Sequence, residues 1–132
     1  MRRFLLTSLL ALGLGCGLAC PAAAQLREGL YTVAGQNPDG TEYQGMLELR
    51  PAPGSAWLVA WQIGNMLVQG VGVVQSGVLA VGYGVNGQLG VATYEVQADG
   101  KLSGYWSIGA GVGSEVLTPT DPPAPPAAAA PR

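Results

Sequence analysis

Any chemistry in this chain has to come from carboxylates, hydroxyls and the single lysine, Lys101. There is no histidine, and both cysteines, Cys16 and Cys20, lie close to the N-terminus. Beyond Cys20 the residues needed for a thiol nucleophile, a Ser–His relay or the common zinc sites are therefore missing. Carboxylate pairs are the remaining route to acid–base catalysis, which needs two acids converging in a cleft. Glu42 and Glu48 share one strand face with Gln44 and Met46, where solvation is expected. Glu95 alternates with Thr93 and Val91 and is a functional candidate only if it turns inward. A small hydrolase or lyase would have to use Glu95, Glu115 or another acid. Lys101 directly follows the Asp99-Gly100 turn, so a solvated charge is expected there rather than a Ser–Lys pair. Calcium takes about 6–8 oxygen ligands. Asp39 and Asp99 bring no such cluster and read as turn formers. No metal, cofactor or catalytic residue is expected.

The aromatic set Trp57, Trp61, Tyr83, Tyr94, Tyr105 and Trp106 is the other feature with functional potential. In a small barrel such rings either fill the core or line an apolar ligand pocket, as in lipocalin-like or streptavidin-like folds. The candidate ligand-binding residues are Trp57, Trp61, Tyr83, Tyr94 and Trp106. About 90 folded residues leave little space for a cavity, so core filling is the expectation.

Strands must position these rings. The stretch Ala56 to Gly84 reads as three strands separated by Gly64-Asn65 and Gln75-Ser76-Gly77, turn chemistry that joins antiparallel neighbours. Trp57, Val59, Trp61 and Ile63 fall on one face of the first. Met66 to Val74 is apolar on both faces, with Gly70 and Gly72 placed to face the tryptophan row. In Val78 to Gly84, Leu79, Val81 and Tyr83 oppose Ala80, Gly82 and Gly84. Upstream, Gly29 to Val33 is a short strand, and Gly35 to Gly40 is a turn. Thr41 to Leu49 alternates, with Tyr43, Gly45, Leu47 and Leu49 on one face. Arg50 to Ser55 is expected to be a loop, because two prolines sit poorly in a ladder. Downstream, a turn at Val85 to Gln88 precedes strands at Val91 to Gln97, Lys101 to Ile108 and Ser114 to Leu117. About eight strands at 8–12-residue spacing, with no amphipathic helix between them, predict an all-β antiparallel up-and-down meander. A closed or partly closed barrel is favoured over a β-sandwich.

The ends differ in composition. Arg2 and Arg3, the apolar run from Phe4 to Ala19, and Ala22-Ala23-Ala24 form an export signal with cleavage between Ala24 and Gln25. The protein is thus expected to be secreted or periplasmic, with no membrane span after signal removal. Lipidation at Cys20 is the alternative, although Gly17-Leu18-Ala19 and Pro21 around it fit poorly. Residues 118–132 are rich in Pro and Ala and read as a disordered tail. The organisation is therefore 1–24 signal, 25–117 barrel-like domain and 118–132 tail. Cleavage leaves four basic residues, Arg27, Arg50, Lys101 and Arg132, against eight acids, a net charge of −4. That balance excludes the basic patch nucleic-acid binding requires. An outer-membrane barrel is disfavoured by short strands and by the lack of an aromatic girdle.

Trp61-Gln62-Ile63-Gly64 is echoed by Trp106-Ser107-Ile108-Gly109, and Asp39-Gly40 by Asp99-Gly100. The echoes suggest two meander halves built on one plan. The order Tyr31, Asn37-Pro38-Asp39-Gly40, Tyr43-Gln44-Gly45, Trp61-Gln62-Ile63-Gly64, Gly70-Val71-Gly72, Leu79 to Tyr83, Tyr94, Asp99-Gly100, Leu102 to Trp106 and Gly113-Ser114-Glu115 resembles a group of small exported bacterial all-β proteins. Some members are labelled fibronectin-binding protein. The resemblance spans about Gly29 to Val116 and implies an extracellular or cell-envelope protein partner, with no site residues to carry over. A small apolar ligand is the alternative partner.

Overall fold

The computed structural model describes residues 25–120. The signal with its cleavage point after Ala24, Cys20 and most of the Pro/Ala tail lie outside the described residues. Eight strands run β1 Gly29–Gln36, β2 Glu42–Ala52, β3 Ala56–Ile63, β4 Met66–Gln75, β5 Val78–Val85, β6 Gln88–Val96, β7 Leu102–Ile108 and β8 Gly113–Pro119. Each pairs antiparallel with the next, and β1 also pairs with β8, closing the barrel in simple meander order. The sandwich alternative is thereby excluded.

Tight turns set the register. Ser76-Gly77 and Asn86-Gly87 both hold positive φ at their two central positions, the mirror-type turn that matches strand twist. They lock Gln75 opposite Val78 and Val85 opposite Gln88. With register fixed, alternation sends one face of every strand inward. The buried core is Tyr31, Val33, Leu47, Leu49, Val59, Trp61, Val68, Leu79, Val81, Ala92, Tyr94, Leu102 and Leu117.

Several strands run beyond their predicted ends. The Arg50 to Ser55 loop is the clearest correction: Arg50, Pro51 and Ala52 continue β2, opposite Leu58, Trp57 and Ala56. The reason lies on the other side of β2. Its pairing with β1 ends at Gly29 opposite Leu49, so Pro51 has a partner on one side only and its missing N–H costs no ladder bond there. The loop shrinks to a short 3-10 turn, Pro53–Ser55. Similarly, β1 continues to Gln36, three residues past the predicted end at Val33, and β6 begins at Gln88 rather than Val91. Strand β8 reaches Pro119, two residues into the segment whose composition reads as tail, through pairing of Thr118 and Pro119 with Thr32 and Tyr31.

The two ends of the barrel are unlike. At one end Leu49, Leu79, Leu102, Leu117 and Tyr31 are essentially sealed from solvent. Leu26 packs against them, and the Tyr31 hydroxyl donates to the Arg27 carbonyl at 2.6 Å, tying down the chain that crosses this end. The other end carries the β1–β2, β3–β4, β5–β6 and β7–β8 connections and is not filled. Outside, β3 to β6 expose Leu58, Leu67, Val71, Val73, Leu89 and Val91, whereas β2 presents Glu42, Gln44, Glu48 and Arg50. The polar sector interrupts the continuous apolar belt that a lipid-facing barrel carries. No helix among the described residues is long and apolar enough to cross a membrane.

Candidate functional site: a chamber at the open end

The unfilled end encloses a cavity of about 360 Å³, lined by Asn37, Tyr43, Trp61, Ile63, Met66, Val68, Tyr83, Val85, Tyr94, Trp106, Ile108 and Glu115. Trp61 and Tyr94 are buried in the core, as expected of core-filling rings, and Tyr83 and Trp106 pack against that core; the same four rings also border this space. Tyr31 fills the sealed end, while Trp61, Tyr83, Tyr94 and Trp106 surround a space. Trp57 packs against the core away from that cavity, near the sealed end where it faces Pro51 and Gly72. Tyr105 is 65% exposed on the outside of β7. Neighbouring residues of a strand point to opposite faces, so once Trp106 turns inward Tyr105 cannot.

Glycines keep the chamber open. The Tyr43 ring lies across Gly35, the Tyr83 ring across Gly90 and the Trp106 indole across Gly113, in such close contact that any Cβ at these glycines would collide with the ring. Each glycine is also the direct cross-strand partner of its ring. Three rings are thus laid flat against the wall instead of projecting across the lumen, a pairing that also covers backbone a glycine leaves bare. Trp61 tilts against Tyr83 at 5.4 Å between centroids, and Tyr43 meets Trp106 edge-on at 6.3 Å. Gly70 and Gly72 do face inward, opposite Val59 and Trp57. The side chains pressing closest on them, however, are Leu79, Val81 and Tyr83 of β5 rather than the tryptophans.

The Trp-x-Ile-Gly echo has a structural meaning. Strands β3 and β7 are four apart around an eight-stranded wall, so Trp61 with Ile63 and Trp106 with Ile108 line opposite sides of one chamber. The Asp-Gly echo does not fit the same plan. In both turns the Asp carboxylate accepts the N–H two residues on, Thr41 at 2.9 Å and Lys101 at 3.0 Å. Yet one turn joins β1 to β2 and the other β6 to β7, which puts them at opposite ends of the barrel.

A carboxylate lies in the chamber wall. Glu115 is 6% exposed, the one charged side chain buried among the described residues, and its two oxygens accept hydrogen bonds from different tyrosines. Tyr43 donates to Oε1 and Tyr94 to Oε2, both at 2.6 Å, the length of a charge-assisted O–H···O⁻ bond. Burial above all, and then Glu115 through its hydrogen bond and its proximity, push both tyrosine hydroxyls far above the ordinary phenol range, so they remain proton donors. Trp106 acts on Tyr43 in the opposite sense, although its buried indole N–H makes no hydrogen bond of ordinary geometry. Tyr83 is raised mainly by burial, and its hydroxyl reaches the Ser107 carbonyl at 3.3 Å.

Glu95, by contrast, points to solvent beside Thr93, opposite the inward Ala92 and Tyr94. Among the described residues lining the chamber Glu115 is the one carboxylate, with no second acid to pair it for bond-breaking chemistry. The tie between Glu115 and its two tyrosines is what sequence reasoning missed. Its signal was present but faint: Glu115 shares period-two phase with Gly113 and Leu117, yet Val116 makes the opposite face equally apolar.

No protein-family model and no curated protein matches the chain. Among solved structures, the fold is similar to a de novo designed fluorescence-activating beta barrel. The TM-score is 0.52 at 20% identity, covering 74% of this chain and 97% of that one. At that identity the likeness concerns the barrel fold alone.

Proposed function

We propose that this protein is a non-catalytic binding barrel that takes a small, largely apolar ligand through its open end. The observation that carries the reading is the chamber itself. A volume of about 360 Å³ lies in the range of small-molecule sites, walled by aromatic and aliphatic side chains with few polar groups. The glycine-seated rings support it, because a barrel selected only for stability would let those rings fill the lumen. The likeness to a designed barrel described as fluorescence-activating agrees with a barrel of this size having a usable interior. We further propose that it acts outside the cytoplasm, on the strength of Arg2-Arg3, the following apolar run and Ala22 to Ala24.

Tryptophan fluorescence tests the reading, because Trp61 and Trp106 stand in the chamber wall. Titration with a panel of small apolar molecules should give a saturable, one-to-one change. A variant with the lumen blocked, Val68→Trp, should lose it while keeping its β-rich circular dichroism. If the wild type responds to matrix proteins and to no small molecule, the adhesive role implied by the family resemblance replaces this reading.

A further inference from the structure

Glu115 is a buried carboxylate without a cation. Among the described residues no lysine or arginine lines the chamber, and the ion pair they form, Arg50 with Glu48, lies on the outer surface. Two tyrosine hydroxyls satisfy two of the roughly four lone-pair positions a carboxylate offers, but they supply no compensating positive charge. Around this anion stand the rings of Tyr43, Trp61, Tyr83, Tyr94 and Trp106, whose π faces are themselves electron-rich. The chamber is therefore negative in its charge and in its quadrupoles while remaining apolar in its lining.

We propose that the chamber selects an organic cation: a quaternary or protonated amine carried on a flat or compact hydrophobic body. This rests on the ligand-binding reading and specifies its ligand class. A bare metal ion fits poorly, since hard cations require several converging oxygens and no metal-ligating cluster occurs among the described residues. An anion would meet Glu115 without a counter-charge. A neutral hydrocarbon would dry the chamber and leave that carboxylate uncompensated. A methylated or aryl-bearing ammonium answers both demands, its charge set near Glu115 and its carbon groups against the rings. The hydroxyls of Tyr43 and Tyr94 fix the carboxylate in place beforehand, so little order has to be created on binding.

The test compares three probes of similar shape on the wild-type mature protein: benzyltrimethylammonium, its uncharged carbon counterpart neopentylbenzene, and the anion phenylpropanoate. Binding is followed by tryptophan fluorescence and calorimetry. The expected order is cation over neutral by about ten-fold or more, with no saturation by the anion. Glu115→Gln, checked for fold by circular dichroism, should bring the cation-to-neutral ratio towards unity. Neopentylbenzene binding as tightly as the cation would overturn the charge selection and leave the ligand-binding reading intact. Failure of all three probes to saturate would overturn both. The wild-type ratio decides the matter even if the variant does not fold.

Discussion

Tyr94→Phe isolates the bond that holds the buried carboxylate. Tyr94 is 1% exposed and its hydroxyl donates to Glu115 at 2.6 Å. Phenylalanine keeps the ring and its packing, so no cavity is created beyond the lost oxygen. What changes is that Glu115 loses one of two donors in a place water reaches poorly. A hydrogen bond to a charged group contributes about 1.5–3 kcal/mol net, and an unsatisfied buried charge adds to the loss. The expected cost is therefore about 2–3 kcal/mol. Tyr43→Phe removes the other donor, but Tyr43 is only half-buried beside the chamber, where water can replace its hydroxyl; about 1 kcal/mol is expected there. With a urea m-value of about 1 kcal/mol/M for a domain of this size, the Tyr94→Phe midpoint should fall by about 2–3 M. A double-mutant cycle sharpens the test. In a Glu115→Leu background the Tyr94→Phe penalty should largely vanish, because no carboxylate remains to satisfy. A Tyr94→Phe midpoint equal to the wild type, or a penalty undiminished by Glu115→Leu, would refute the claim that these hydroxyls hold a buried charge.

Stability should also fall at high pH. Tyr43 and Tyr94 are raised above their unfolded value, first by burial, so their contribution is whole below about pH 10 and declines above it, where unfolded tyrosines ionise and folded ones do not. Urea midpoints at about pH 8 and about pH 11 should differ less in the Tyr43→Phe/Tyr94→Phe double variant than in the wild type; equal differences would count against the assignment. Gly113→Ala puts a methyl group into the Trp106 indole and should cost about 1–3 kcal/mol while altering the near-ultraviolet tryptophan signal. Gly82→Ala, with open space around its Cβ on the outer face, should do neither. Leu79→Ala, fully buried at the sealed end, should lose about 2–5 kcal/mol, whereas Leu67→Ala on the exposed outer wall should stay within about 0.5 kcal/mol. Chemical denaturation of the pair checks which face of each strand is the interior.

Much of the wall was legible because period-two alternation and two-residue turns constrain each other. Asn86-Gly87 and Ser76-Gly77 announce hairpins, and a hairpin register leaves no freedom over which residues turn inward. Leu79, Val81 and Tyr83 follow at once. Pro51 is not legible as a strand residue, because its tolerance depends on where β1 stops, a fact about the neighbouring strand rather than about β2. Closure was suggested by strand count and is settled by the β1–β8 pairing, the most distant in sequence. The chamber was least legible. Whether inward aromatics fill a lumen or flank it depends on which residue each ring lies against. Gly35, Gly90 and Gly113 lie on strands adjacent to their rings, at positions that only the register identifies. Glu115 stands out in the sequence only as one of several acids, because its two tyrosine donors are 72 and 21 residues away.

The central claim, that a ligand enters the open end, is tested most directly by methyl NMR during titration with a binding probe. The methyl resonances of Ile63, Met66, Val68, Val85 and Ile108 should shift together and saturate, while those of Leu49, Leu79, Leu102 and Leu117 at the sealed end stay in place. Shifts confined to Leu67, Val71, Leu89 and Val91 would place binding on the outer wall and contradict it.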